Sequence, residues 1–152
     1  MNRQEIYALQ DEALIWACVE PYIQKARGKD PQTKAQVLRG VSGGPRALFL
    51  FQVLYGHAKQ GIEPFFEHID YLAEQLNVFQ ALQAAMRYFQ DPEMLLIVEK
   101  MEQAFRAREK GLENAALMSE LNSRYSARIP LTLKHIGQYI KNHPEEFHLF
   151  EE

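Results

Sequence analysis

The sequence predicts an all-α protein, an irregular bundle of about seven helices folded as a single domain over residues 1–152. Three observations predict it. Leu and Ala occur 33 times against 17 for Val, Ile and Thr, so helix-favouring side chains dominate and strand-favouring ones are scarce. Apolar residues recur every three or four positions, the period of a helix with one buried face. No low-complexity stretch or internal repeat divides the chain.

The first helix is expected from Arg3, with Ile6, Leu9, Ala13 and Trp16 on one face, ending or kinking where Pro21 lacks an amide donor. A short basic connection follows, in which residues 33–39 read as a brief helix. From Pro45, the run Ala47 to Tyr55 is apolar on all sides. Its length and lack of β-branched residues favour a buried central helix, with Pro45 in the first turn. Gly61 separates this from a helix carrying Ile62, Phe65, Phe66, Ile69, Leu72 and Leu76. Asn77 then caps one whose inner face is Val78, Leu82, Ala85 and Phe89.

Asp91-Pro92-Glu93 is the clearest boundary: an acidic cap, a proline pre-set for the first turn, and a carboxylate complementing the helix dipole. Met94, Val98, Met101 and Phe105 form the inner stripe of the helix it starts. Two more helices are expected, over about 113–127 and 130–142, closed by Pro144.

Hydrophobic residues at 47% and charged residues at 24% exclude a disordered chain. A single cysteine, Cys18, gives no sign of an oxidising compartment, and no window reaches the roughly 20 apolar residues of a membrane span. A cytoplasmic setting, no membrane and no cofactor are the expectations. Net charge −3 and a pI near 6.0 argue against direct nucleic-acid binding, which favours a strongly basic surface.

Gly40-Val41-Ser42-Gly43-Gly44 fits the G-x-S-x-G pattern of a serine hydrolase. That elbow needs a strand feeding the serine, and the polar residues 33–39 do not read as one. A turn between two helices is the expectation. A ligand-binding or hydrolytic site around Ser42 to Arg46 is the alternative, since free amides at a helix start beside Arg46 suit an anion. The histidines 57, 68, 135, 143 and 148 show no zinc-type pair three or four apart on one helix, so no metal site is expected.

Charge is distributed unevenly. Glu63, Glu67, Asp70 and Glu74 lie at i, i+4, i+7 and i+11, one acidic stripe opposite the phenylalanines. Over that span a helix rises roughly 16 Å, about one charge per 5 Å, against about one phosphate per 3.4 Å along a DNA strand. The segment Lys25 to Arg46 holds six cations and one acid, Asp30, a local +5. Such asymmetry can orient a partner or pair two copies of the chain.

Three short segments carry a resemblance to a known family. Ser42-Gly43-Gly44 precedes an aromatic-rich helix, Leu121-Asn122-Ser123-Arg124-Tyr125 stands before the last expected helix, and Tyr139-Ile140-Lys141-Asn142-His143-Pro144-Glu145-Glu146-Phe147 closes the chain. In this order they resemble the bacterial DNA-mimic protein family, a largely uncharacterised helical domain. Ser42 stands where the family has asparagine, Pro45 where it has an aromatic residue, Ala47 where it has a polar one, and Asn122 where it has an acid. The resemblance implies an all-helical fold, a motif turn at Ser42, Gly43 and Gly44 with Tyr125 as a further motif residue, and a tendency to form homodimers. For the family's namesake it implies an acidic surface occupying a transcription regulator's DNA site. The functional expectation is therefore a non-enzymatic protein-interaction module with Glu63, Glu67, Asp70 and Glu74 as its partner-binding face. An immunity-type protein that neutralises a toxin is a further alternative.

Overall fold

The protein is all-α. The computed structural model describes residues 2–70 and 77–149, and among them are eight α-helices and a closing 3-10 turn, with no strand. These are α1 (Arg3–Ala8), α2 (Asp11–Ala26), α3 (Pro31–Arg39), α4 (Gly43–His57), α5 (Ile62–Ile69), α6 (Val78–Tyr88), α7 (Pro92–Glu109) and α8 (Ala115–Asn142), followed by Pro144–Phe147. Helix α4 is the central element. It packs against α2, α5, α6 and the 3-10 turn, while α6, α7 and α8 stack in sequence beside it.

The stripes read from periodicity are the buried ones. Ile62, Phe65, Phe66 and Ile69 of α5, Val78, Leu82 and Ala85 of α6 with Phe89 just beyond, and Met94, Val98, Met101 and Phe105 of α7 are all buried. The all-round apolar run is a buried helix: Leu48, Phe51 and Leu54 are fully enclosed. Leu72 and Leu76 lie outside the described residues.

Boundaries differ at both ends. The first expected helix is two, because Asn2 and Glu5 close a capping box on α1 and the chain turns extended at Leu9 before α2 begins. The face is also rotated. Leu14, Ile15, Cys18 and Val19 are buried, whereas Ala13 is exposed. Pro21 does not end α2, which runs on to Ala26. Helices 113–127 and 130–142 are one helix, α8, passing through Pro130. Both prolines are exposed, so the carbonyl each leaves without an amide can be served by water while the opposite apolar face stays docked.

Asp91 caps α7 as its sequence predicts, accepting from the Met94 amide at 3.0 Å. Its carboxylate does more than cap. It also accepts from Arg128 Nη2 at 2.8 Å and from Thr132 Oγ1 at 2.8 Å, both on α8. Arg128 spans the gap to Glu93 as well, at 3.1 Å. The first turn of α7 is thereby fastened to the middle of α8.

Candidate functional site

The acidic face forms as a face. On α5 the apolar side chains point inward, leaving Glu63 and Glu67 exposed, and Asp70, the C-cap, is exposed too. Glu74 lies outside the described residues. Beside this face a groove of about 480 Å³ runs between α5, the end of α7 and the start of α8, lined by Glu63, Phe66, Ala107, Arg108, Leu112 and Met118 among others. Leu112, at 67% exposure, offers an apolar edge there. Arg108 approaches Glu67 at 3.9 Å and Glu113 at 3.4 Å, so one cation stands among several carboxylates.

Helix α5 is held in place from behind. Its first amide, from Ile62, donates to Asn122 Oδ1 of α8 at 2.8 Å, a cap supplied by a residue sixty positions away. Gly61 reaches this junction at φ +124, a conformation that L side chains rarely adopt. Asn122 belongs to the second motif segment, which lies inside α8 and not ahead of a final helix. Tyr125, in the same segment, is buried with its hydroxyl unpartnered.

The motif turn has another use. Ser42 is exposed and is the N-cap residue of α4, without a side-chain capping bond. Upstream of Gly40 stands helix α3 instead of the strand a nucleophile elbow requires. Arg46 donates to the Leu38 carbonyl at 2.9 Å, closing the C-terminal turn of α3. Gly44 is buried where the last segment crosses α4. A Cβ there would stand 2.7 Å from the Glu146 carbonyl oxygen and 2.8 Å from the Phe147 ring. The first and third motif segments therefore meet, whereas Tyr125 lies toward the other end of α4, within electrostatic reach of Tyr55.

At that crossing the Glu146 carboxylate accepts from the Tyr88 and Tyr139 hydroxyls, and the His143 ring nitrogen lies 3.2 Å away. The Tyr88 hydrogen bond is the chief cause holding the Glu146 carboxyl below its ordinary range. Burial, reinforced by Glu146, pushes the Tyr88 hydroxyl up. His143, Glu145 and Glu146 can each bring one ligand atom within 4.8 Å of the others, and two of the three, His143 and Glu146, are already paired with each other. Cys18 is a core residue whose thiol burial pushes up to about 12, which leaves it unreactive near neutrality.

Spacing along the sequence gave no sign of a second site. His57 ends α4 and His68 lies on α5, eleven positions later, yet their rings stack face to face with centroids 3.4 Å apart. They border a groove of about 380 Å³ between α2, α3 and α4, whose walls include Trp16, Leu38, Phe49, Leu50 and Val53. Arg27 and Lys34, from the basic segment, also line it, and no carboxylate does so among the described residues.

Loss of hydration pushes the His68 imidazole down to about 4, with His57 and Lys34 adding repulsion, and it depresses His57 likewise, with Lys34 contributing. A folded value below the unfolded one near 6.5 means that the unfolded chain takes up the proton first. The pair's contribution to stability is thus complete above about 6.5 and is lost as pH falls toward about 4. The urea midpoint should fall across that window, and His68→Phe, which keeps a flat ring against His57, should remove much of the fall. An unchanged slope in the variant would assign the loss to other groups. Glu146, a carboxylate with a lowered value, loses its contribution only below its ordinary value of 4.5, at the acid edge of that window.

No helix among the described residues is long and apolar enough to cross a membrane. Comparison with protein-family models, with curated proteins and with solved structures finds no match to this chain.

Proposed function

We propose that the protein is a non-catalytic interaction module that presents the α5 face to a basic surface of a protein partner, in the manner of a DNA-mimic regulator of a nucleic-acid-binding protein. The observation that carries this reading is the segregation on one short helix: Glu63, Glu67 and Asp70 exposed on one side, four buried apolar residues on the other. Because α5 is capped by Asn122 and backed by a phenylalanine cluster, the backbone that carries its acidic residues is held in place, which lowers the ordering cost of binding. The neighbouring groove with exposed Leu112 adds an apolar contact to an otherwise electrostatic surface. Charged faces of this kind set encounter rate and partner choice more than affinity.

The reading is tested by replacing Glu63, Glu67, Asp70 and Glu74 together with glutamine and comparing the variant with the wild type. Partners captured by the wild type should include a nucleic-acid-binding protein whose complex with duplex DNA the wild type disrupts. The variant, folded by circular dichroism, should lose that disruption at low salt. Equal capture by both proteins at low and high salt would overturn the proposal, as would partners that ignore DNA altogether.

A further inference from the structure

Where the chain closes, three side chains able to ligate a metal ion come together away from α5. His143 ends α8 as its C-cap, and Glu145 and Glu146 lie on the 3-10 turn that follows. The turn folds back on itself, the Glu146 amide donating to the His143 carbonyl at 3.0 Å, so residues three positions apart face each other. One ligand atom from each of the three lies within 4.8 Å of the other two.

The spacing suits one small cation. Two ligand atoms held about 2.0–2.1 Å from a tetrahedral ion stand roughly 3.3 Å apart. His143 Nδ1 and Glu146 Oε2 are 3.2 Å apart. An ion seated to one side of that line can take both atoms as ligands with little movement of either. Glu146 is also aimed from outside the cluster. Its Oε1 accepts from the Tyr88 hydroxyl of α6 and from the Tyr139 hydroxyl of α8, the latter at 2.9 Å, while Oε2 is the oxygen turned to His143. The His143 ring rests against Tyr139, with centroids 4.5 Å apart. Ligating carboxylates and imidazoles are oriented by outer groups of this kind. Glu145 is exposed, which gives an ion an approach from solvent. One imidazole nitrogen with two carboxylate oxygens is a donor set for a divalent transition metal such as zinc, whereas magnesium and calcium prefer oxygen alone.

We propose that His143, Glu145 and Glu146 form a binding site for a zinc-type divalent cation, with Tyr88 and Tyr139 as positioning residues and water completing the shell. Bound there, the ion pins the closing segment to α8. Histidine spacing hides the site, because a single histidine is joined by two carboxylates and not by a second histidine. It shares no residue with the acidic face, so the two readings stand or fall separately.

Calorimetric titration of the untagged protein with zinc and with magnesium tests the assignment. Zinc is expected to bind saturably at one equivalent, and magnesium about tenfold more weakly or less tightly still. His143→Gln and Glu145→Gln should each weaken zinc by about tenfold or more. Glu145→Gln, at an exposed side chain, should leave the Tm of the metal-free protein unchanged. Tyr88→Phe keeps the ring and removes only the hydroxyl, and it should also weaken zinc by about tenfold. The first equivalent of zinc should shift the His143 Hε1 resonance before those of His57, His68, His135 and His148. Absence of saturable zinc binding up to the solubility limit of zinc at neutral pH would overturn the proposal. So would magnesium binding as tightly as zinc, unchanged zinc affinity in His143→Gln or in Glu145→Gln, or a first equivalent that moves other histidines and leaves His143 in place.

Discussion

Replacing Asp91 by alanine is expected to destabilise the fold by about 3–5 kcal/mol, the scale for removing one partner from a buried ion pair. Its side chain is fully buried, and the Arg128 side chain facing it is 17% exposed. The substitution leaves three donors without their acceptor at once: the Met94 amide, the Thr132 hydroxyl and the Arg128 guanidinium. Thr132 is fully buried, so its hydroxyl has no water to turn to. Arg128 retains Glu93, but that carboxylate is 73% exposed and screened by solvent. At this chain length the loss corresponds to a fall in Tm on the order of 10 °C. Asp91→Asn keeps one acceptor oxygen for the capping amide and Arg128, and the Thr132 hydroxyl can turn to accept from the new NH2 group, so it should cost clearly less. Urea denaturation of both variants measures the difference. A loss below about 1 kcal/mol for the alanine variant would show that the junction contributes little more than a helix cap.

Asp91 also marks where sequence reading succeeds and where it stops. Its role as a cap is local, spelled out by Asp-Pro-Glu and confirmed by the bond from Met94. Its ion pair spans 37 positions, and no short-range rule connects Asp91 to Arg128. The same division holds across the molecule. The inner stripes of α5, α6 and α7 were legible because burial imposes a helical period on the residues themselves. Pro21 and Pro130 misled because the local rule against proline in a helix is outweighed when the ring faces water and the opposite face is packed. The three described members of the acidic stripe stand exposed as their spacing implied. The His57 and His68 pair was invisible, because two helices had to fold against each other before the rings met. Gly44 stands in a motif of the sequence, but what demands its small size is the Glu146 carbonyl and the Phe147 ring, both from the closing segment of the chain.

The second large effect is expected at the aromatic cluster that backs the acidic helix. Phe79, on α6, touches edge to face with Phe65 and Phe66 of α5 at 6.4 and 6.2 Å, and packs tilted against Phe105 of α7 at 5.2 Å. Phe66 and Phe105 close the set edge to face at 5.3 Å. All four rings are buried, so Phe79→Ala removes a wedge shared by three helices, and its neighbours are themselves too enclosed to collapse fully into the space. The expected cost is about 3–5 kcal/mol in urea denaturation, against roughly 1–2 kcal/mol for Phe79→Leu, which keeps most of the volume. The loss should also be uneven. Of the three helices, α5 is the shortest, with only eight residues, so its amides should lose hydrogen-exchange protection before those of α7. If Phe79→Ala instead lowered protection uniformly, the bundle would be unfolding as one unit. The acidic face would then be no easier to release than the core behind it.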